Sequence, residues 1–190
     1  MQEEIRAQFN QNIELHKRSL EGLVPKIVQA ADLIIKAYEA GNKLLLCGNG
    51  GSAADCQHLA AEFVGRFKKE RKGLPAIALT TDTSIMTSVA NDYWYDFLFA
   101  RQVEALGQKG DVLLAISTSG NSTNIVRAVE MANFEGLKTI GLLGGADGGK
   151  LKDLVQVPLI VPFDGSDRVQ EVHILIGHII CSLIDSHFSK

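Results

Sequence analysis

The chain has 190 residues, of which 46% are hydrophobic and 22% charged, a balance typical of one globular domain with a sizeable core. The formal net charge of −3 gives no basic surplus, so we expect no nucleic-acid partner. The N-terminus lacks the apolar centre of a signal peptide, and apolar runs stay short of the roughly 20 residues of a membrane span, so we expect no membrane partner.

The segment before the first strand predicts two helices. Apolar residues recur near helical spacing over residues 1–21 and form a second apolar stripe over residues 23–40, which Gly41 is suited to end. Both helices need an apolar surface to pack against, and either the domain itself or a second subunit would supply one. We therefore treat residues 1–40 as a helical extension that takes part in oligomer contacts.

From residue 43 onward, apolar strands alternate with helices. The predicted strands cover 43–47, 76–79, 112–116, 139–143 and 157–161, and the predicted helices cover 52–67, 83–89, 96–106, 121–134, 151–154 and 167–188. This alternation predicts an α/β fold, a three-layer sandwich with a central five-stranded parallel sheet covered on both faces. We see no linker, so residues 1–190 are expected to form a single domain.

The three cysteines, Cys47, Cys56 and Cys181, lie in apolar surroundings and do not have the spacing of a metal or redox motif. We interpret them as buried thiols. Because disulfides are rare in reducing compartments, free buried thiols favour a cytoplasmic protein.

Two small polar loops mark the edge of the sheet where a ligand is expected. GNGGS (48–52) and STSGNS (117–122) each lead from a strand into a helix, and their flanking sequences are alike. Ligands of such sheets bind beyond the carboxyl ends of the strands, so both loops should line one crevice. Exposed N–H groups and hydroxyls at a helix N-terminus can bind phosphate, although tight turns and helix caps use the same residues.

The helix after the first loop carries His58 and Glu62, which i, i+4 spacing puts on one face. Either residue could be an ordinary polar side chain on a helix surface. The neighbours Leu59, Phe63 and Val64 indicate burial, however, and a buried carboxylate is costly unless it is paired or used. We therefore predict that Glu62 acts as an acid or base in proton transfer.

The last predicted helix carries further candidates. Asp167 and Gln170 fit a capping box, which gives both residues a purely structural explanation. His178 lies in a nearly continuous apolar run, where a histidine needs a hydrogen bond, a metal or a catalytic role. Gln170 shares its face of the helix, and His173 competes with His178 for the same role.

Asn91 and Asp92 precede a cluster of aromatic residues over 93–99. We interpret the aromatic residues as packing, at a subunit contact, rather than as a platform for a sugar. Asp92 either accepts hydrogen bonds from substrate hydroxyls or caps the helix that follows.

Four segments, taken in order, resemble the sugar isomerase (SIS) fold family: CGNGGSAADCQHLAAEFVGRF, ALTTDTSIMTSVANDY, GDVLLAISTSGNS and DRVQEVHILIGHII. The resemblance covers nearly the whole chain. Within the SIS fold family, the chain most resembles the phosphoheptose isomerase family. This resemblance implies an aldose–ketose isomerase that converts sedoheptulose 7-phosphate to D-glycero-D-manno-heptose 7-phosphate through an enediol, as a precursor of lipopolysaccharide or other surface glycans. It also implies a homotetramer with sites between subunits.

The resemblance implies roles for individual residues, with Glu62 and His178 as the catalytic pair. The substrate-binding residues it implies are Asn49, Gly50, Gly51, Ser52, Glu62, Arg66, Asn91, Asp92, Ser117, Thr118, Ser119, Ser122, Asp167 and Gln170. In metal-containing members the positions of His58, Glu62, Gln170 and His178 bind one zinc ion per subunit. Gln170 and His178 are separated by about 12 Å of helix rise, so a shared metal would need Gln170 to extend forward and His178 to lean back. The chain also departs from the family at Trp94, where glycine is frequent.

Two other functions compete with the isomerase. A related branch of the fold is a non-enzymatic adaptor for the bacterial replication initiator, but that branch lacks the full pair of Glu62 and His178. Sugar-phosphate-sensing regulators usually carry a DNA-binding domain as well, for which 190 residues leave no room.

Overall fold

Five parallel strands form the central sheet of the computed structural model, which describes residues 1–189. The strands are β1 (Leu44–Gly48), β2 (Ala76–Ala78), β3 (Val112–Ser117), β4 (Lys138–Leu143) and β5 (Val157–Ile160). Their spatial order is β2-β1-β3-β4-β5, and each adjacent pair is parallel. Strands β1 and β3 are buried along their whole length, as expected for a sheet covered on both faces.

Helices cover the two faces of the sheet and enclose two cores. The helices are α1 (Gln2–Glu39), α2 (Gly51–Val64), α3 (Thr83–Tyr93), α4 (Leu98–Leu106), α5 (Thr123–Phe134) and α6 (Ser166–Phe188), with short 3-10 turns at Tyr95–Phe97 and Lys150–Asp153. Alternate side chains of β1 enter different cores: Leu44 and Leu46 pack with α1, α2 and α6, whereas Leu45 and Cys47 pack with α3, α4 and α5. The predicted three-layer α/β sandwich is therefore confirmed.

The prediction of two N-terminal helices is wrong, because α1 is one continuous helix of 38 residues. Gly22 and Pro25 both lie inside it, although an internal proline removes a backbone hydrogen bond and costs about 3 kcal/mol. The buried face runs through this region without a break, from Leu15 through Ile27 to Ile34. Burial of this continuous stripe outweighs the local cost of the two helix breakers.

Helix α6 is long and apolar enough to cross a membrane by length and composition alone. Half of its apolar window is buried inside the fold, where Val172, Ile176 and Ile180 pack in the core with α1 and α2. A core helix meets the same criterion, so this property is weak support for a membrane span.

The strand order reverses between β1 and β3, and this places the two polar loops side by side. The chain runs from β1 outward to β2 and then returns to β3 on the other side of β1. Gly48, at the end of β1, pairs with Ile116 near the end of β3. The loops that follow these strands therefore begin next to each other, at the switch point where open α/β sheets bind ligands.

Candidate active site

The loop after β3 presents hydroxyl groups at the N-terminus of α5. Ser122 is the N-cap residue of α5, but its side chain makes no cap hydrogen bond; its Oγ instead lies 3.2 Å from Oγ of Ser117. Thr118 is half-buried and Ser119 is exposed between them. Capping therefore does not explain the hydroxyl of Ser122, and the first turn of α5 remains suited to an anion.

Glycine at position 120 holds this loop in place. Gly120 has a φ of +64°, and a Cβ there would overlap the carbonyl oxygen of Gly148 in the turn after β4. Asn121 also joins the two segments, because its Oδ1 accepts a hydrogen bond from the backbone N–H of Lys150 at 3.1 Å. The conformation of the hydroxyl-bearing loop thus depends on a close backbone approach that only glycine permits.

A pair of asparagines connects the loop after β1 with the first turn of α5. Nδ2 of Asn49 donates to Oδ1 of Asn124, and Nδ2 of Asn124 donates back to Oδ1 of Asn49, both at 2.9 Å. The hydroxyl of Tyr95 donates to the same Asn49 oxygen at 3.0 Å. Sequence reasoning identified neither Asn124 nor Tyr95 as a site residue. The likeness of the two loop segments predicted that they line one crevice, and this contact confirms that they are adjacent.

The start of α2 contacts α6 through Gln170. A Cβ placed on Gly51 would lie 2.6 Å from Oε1 of Gln170, so the Gln170 amide lies directly against the first residue of α2. Gly50, at the N-cap of α2, has a φ of +54°, and Ser52 behind it is buried. Gln170 is thus positioned with the glycine-rich loop.

The predicted capping box at the start of α6 is wrong. Helix α6 begins at Ser166, and its N-cap is Gly165, which has no side chain that could cap the helix. Asp167 is therefore inside the first turn and exposed. Hydrogen bonds from the backbone and the side chain of Arg168 hold the pKa of the Asp167 carboxyl below its usual value.

Helices α2 and α6 bring His58, Glu62 and His178 together. Nε2 of His58 lies 3.3 Å from Oε1 of Glu62 and 3.4 Å from Nε2 of His178. Phe67 stacks on the His178 ring, with 5.4 Å between centroids. The His58 side chain is 47% exposed and that of Glu62 is 24% exposed, so this face of α2 is more open than the apolar neighbours of Glu62 indicated.

His173, the competitor of His178, belongs to the core. It is fully buried, and its Nε2 donates a hydrogen bond to the carbonyl oxygen of Leu143 at 3.1 Å. Burial lowers the pKa of His173 to about 4, because desolvation disfavours the charged imidazolium. His173 is therefore a neutral structural residue at the end of β4.

The remaining predicted residues lie apart from these contacts. Asn91 and Asp92 are both exposed near the end of α3, where Nδ2 of Asn91 donates to Oδ1 of Asp92 at 2.8 Å. Arg66 follows the end of α2 and lies 3.6 Å from Glu70, with most of its side chain in solvent. The helix rise from Gly51 to Glu62 is about 16 Å. Within one chain, the two polar loops (48–52 and 117–122) are thus separate from the group of His58, Glu62 and His178, which we call the His–Glu cluster. These two groups would be the two halves of a site.

The His–Glu cluster has the donor chemistry for zinc but does not form a closed metal site. Within residues 1–189, no three His, Cys, Asp or Glu side chains are grouped as a metal site. Two donors bound about 2.05 Å from one tetrahedral ion would be about 3.3 Å apart. The distances from His58 Nε2 to Glu62 Oε1 and to His178 Nε2 are both close to this value. Imidazole nitrogen and carboxylate oxygen are ordinary zinc donors, and the pairs therefore fit the ion. The Gln170 amide, against Gly51, is outside this group.

Comparison with known proteins gives one consistent family. A family model described as SIS domain matches residues 8–144. The phosphoheptose isomerase of a Nitratiruptor species is 54% identical over 99% of this chain and 100% of that protein, and that of Helicobacter pylori (strain P12) is 54% identical over 97% and 96%. The structure of phosphoheptose isomerase GmhA from Neisseria gonorrhoeae matches with a TM-score of 0.92 at 46% identity, covering 97% of this chain and 98% of that one. The chain therefore belongs to the SIS domain family and, within it, to the phosphoheptose isomerases.

Proposed function

We propose that this protein isomerises sedoheptulose 7-phosphate to D-glycero-D-manno-heptose 7-phosphate, a heptose precursor of lipopolysaccharide or other surface glycans. The observation that carries the proposal is the approach of Glu62 and His178 to the shared neighbour His58, on two packed helices of a chain that phosphoheptose isomerases match end to end. The alternative adaptor for the replication initiator is disfavoured because that branch lacks this pair.

Phosphate binding is assigned to the loop after β3. Support comes from the hydroxyls of Ser117 and Ser122, the open first turn of α5 and the rigid support of Gly120. An anion held there fixes the far end of an extended sugar chain, so the reacting carbons are kept in register with the acid and base. The sugar would lie along Asn49, Gly51 and Gln170.

The reaction needs a group that moves a proton between two adjacent carbons. In the forward direction, the Glu62 carboxylate takes a proton from C1 of the ketose while the oxygen on C2 gains a proton, which gives the enediol. The Glu62 carboxyl then returns a proton to C2 while the oxygen on C1 loses one, which gives the aldose. His178 is suited to the transfers at oxygen, because an imidazole can donate or accept near neutral pH.

One zinc ion per subunit is proposed at His58, Glu62 and His178, with Gln170 as a fourth ligand once its side chain leaves Gly51. The spacing of the donors around His58 supports the three-residue set. When bound, zinc would supply Lewis-acid polarisation of the carbonyl oxygen.

A complete site is proposed to form between subunits of a homotetramer in a reducing cytoplasm. Within one chain, α2 separates the sugar and phosphate loops from Glu62 by about 16 Å, and a neighbouring copy would supply the missing half. Exposed apolar residues of α1 and α6 support such contacts. Cys47, Cys56 and Cys181 are free and buried, which supports a reducing compartment.

Replacement of the proposed proton carrier tests this assignment. Glu62→Gln keeps the size of the side chain but removes its basic carboxylate, so kcat should fall by about 100-fold to 10,000-fold. Calorimetric binding of sedoheptulose 7-phosphate should change little, because the phosphate loop is intact. Glu39→Gln is the matched control, since Glu39 also contacts an imidazole, that of His187 at 2.8 Å, and has no proposed role. Near-wild-type turnover by Glu62→Gln would refute the role of Glu62.

A further inference from the structure

The oxygen of the Asn49 side-chain amide makes more hydrogen bonds than its nitrogen does. Its Oδ1 accepts two hydrogen bonds, one from the Tyr95 hydroxyl at 3.0 Å and one from Nδ2 of Asn124 at 2.9 Å. Its Nδ2 donates one, to Oδ1 of Asn124 at 2.9 Å. An amide oxygen has two lone pairs and an amide nitrogen has two N–H groups. Within residues 1–189, Asn49 therefore has a saturated acceptor and one N–H without a hydrogen-bond partner.

The partners of Asn49 are held by different parts of the fold. Asn124 is only 3% exposed and lies in the first turn of α5, beside the hydroxyl-bearing loop. Tyr95 begins the 3-10 turn that follows Trp94, the one non-glycine residue with a positive φ in residues 1–189 (φ +66°). This left-handed residue redirects the chain between α3 and the 3-10 turn, and the Tyr95 hydroxyl contacts Asn49.

The Tyr95 hydroxyl favours one orientation of the Asn49 amide. The two asparagine amides exchange a reciprocal pair of hydrogen bonds, and that pair would be preserved if both amides rotated by half a turn. A tyrosine hydroxyl can donate or accept, but its oxygen is a weaker acceptor than an amide oxygen because its lone pair is delocalised into the ring. Donation to Oδ1 is therefore the favoured arrangement, and it is the one the structure has. The free N–H is then the group that Asn49 has left for a ligand.

We propose that Tyr95 is a positioning residue that keeps Asn49 in a donor state toward the substrate. The site would then select an oxygen with a free lone pair, a sugar hydroxyl or carbonyl, at the place where Asn49 meets the sugar. This inference rests on the proposed function, because it takes Asn49 as a substrate contact. Tyr95 itself does not need to touch the substrate.

A double-mutant cycle between Tyr95 and Asn49 tests the proposal. Tyr95→Phe removes one hydroxyl and should lower kcat/KM about fivefold, the effect of one neutral hydrogen bond. In an Asn49→Ala background the same change should have no further effect, because the amide it orients is gone. Tyr93→Phe is the matched control: the Tyr93 ring packs under Arg101 at 5.3 Å, a contact that phenylalanine keeps. An unchanged Tyr95→Phe enzyme, or losses that add fully with Asn49→Ala, would overturn the proposal.

Two further readouts separate this inference from the proposed function. The cycle is also measured as the calorimetric Kd of sedoheptulose 7-phosphate, so a wild-type protein that binds without turnover contradicts the isomerase while the cycle still decides the role of Tyr95. In ligand-free protein, the side-chain N–H signals of Asn49, identified by their loss in Asn49→Ala, should shift in Tyr95→Phe and stay in place in Tyr93→Phe. Unshifted Asn49 signals in Tyr95→Phe would overturn the proposal without reference to any substrate.

Discussion

His173 and His178 lie on the same helix in opposite environments. His173 points into the core and donates to the Leu143 carbonyl, whereas His178 faces His58 on the open side of α6. The apolar run around both residues identifies two candidates without ranking them, because it contains no information about which face of α6 meets the sheet. The contact of α6 with the end of β4 makes that distinction.

The buried His173 should make the protein less stable in mild acid. Its pKa is about 4 in the folded protein and 6.5 in the unfolded chain, so the unfolded chain takes up the proton first. The contribution of His173 to stability is therefore complete above pH 6.5 and is lost as the pH falls toward 4. Between pH 8 and pH 5 the loss should be about 2 kcal/mol, measured by urea unfolding at both values.

Comparison with variants isolates this contribution of His173. His173→Gln should show an acid loss smaller by about the same 2 kcal/mol. His187→Gln, on the exposed end of the same helix, should keep the wild-type difference between the two pH values. Equal acid losses in the wild type and in His173→Gln would show that the imidazole does not carry the effect.

Trp94 has a backbone conformation that is unusual for a residue other than glycine. The resemblance to the family implies glycine at this place, and the structure gives Trp94 a φ of +66°, a region that glycine adopts freely and other residues rarely do. The Trp94 side chain is 76% exposed, so little packing within the chain offsets this strain. The contact of Tyr95 with Asn49 depends on this turn. Sequence pattern did not reveal the contact, because hydrophobic periodicity does not report the conformation of a single residue between two helical segments.

At the scale of elements, α1 shows where pattern reading and packing disagree. Gly22 and Pro25 are local signals for a break, and the predicted boundary between two helices falls at Gly22. The helix continues through both residues because its buried apolar stripe runs without interruption from Leu15 to Ile34. Tertiary packing over several turns exceeds the cost of one missing hydrogen bond.

The outer surfaces of α1 and α6 form an apolar groove that predicts subunit contacts. Its exposed residues include Leu20, Val24 and Val28 of α1, and Leu175, Ile179 and Leu183 of α6. Exposed apolar patches of this kind mark association surfaces. The groove is a reason to expect association that does not depend on the family resemblance.

A charged residue in the groove should disrupt the assembly. Wild-type protein should sediment at about 82 kDa, four times the chain mass of 20.6 kDa. Val24→Glu combined with Ile179→Glu should shift the mass to a smaller species with unchanged helical circular dichroism. Phe134→Glu replaces another exposed apolar residue, at the end of α5, and should leave the mass unchanged. A double variant that keeps the full mass would exclude the groove as an interface.

At the scale of the whole molecule, the parallel sheet and the position of the two polar loops could be predicted from the sequence, and the side-chain contacts of the site could not. Alternating strands and helices are sufficient to predict a parallel sheet, and the two polar loops meet at its edge as expected. The separation of about 16 Å between Gly51 and Glu62 along α2 follows from the residue count. The contacts of His58 with Glu62 and His178 required the structure. In the proposed homotetramer, a neighbouring copy would bring the two halves together.

The most direct test of the proposed isomerase is an NMR assay of sedoheptulose 7-phosphate with the purified protein in D₂O, with and without a chelator and with zinc restored. We predict growth of an aldose signal to a stable equilibrium, with deuterium at C2 from proton exchange at the enediol stage. The chelator should slow this conversion and added zinc should restore it. Absence of aldose under every condition, including added divalent metals, would contradict the isomerase and favour the non-enzymatic adaptor.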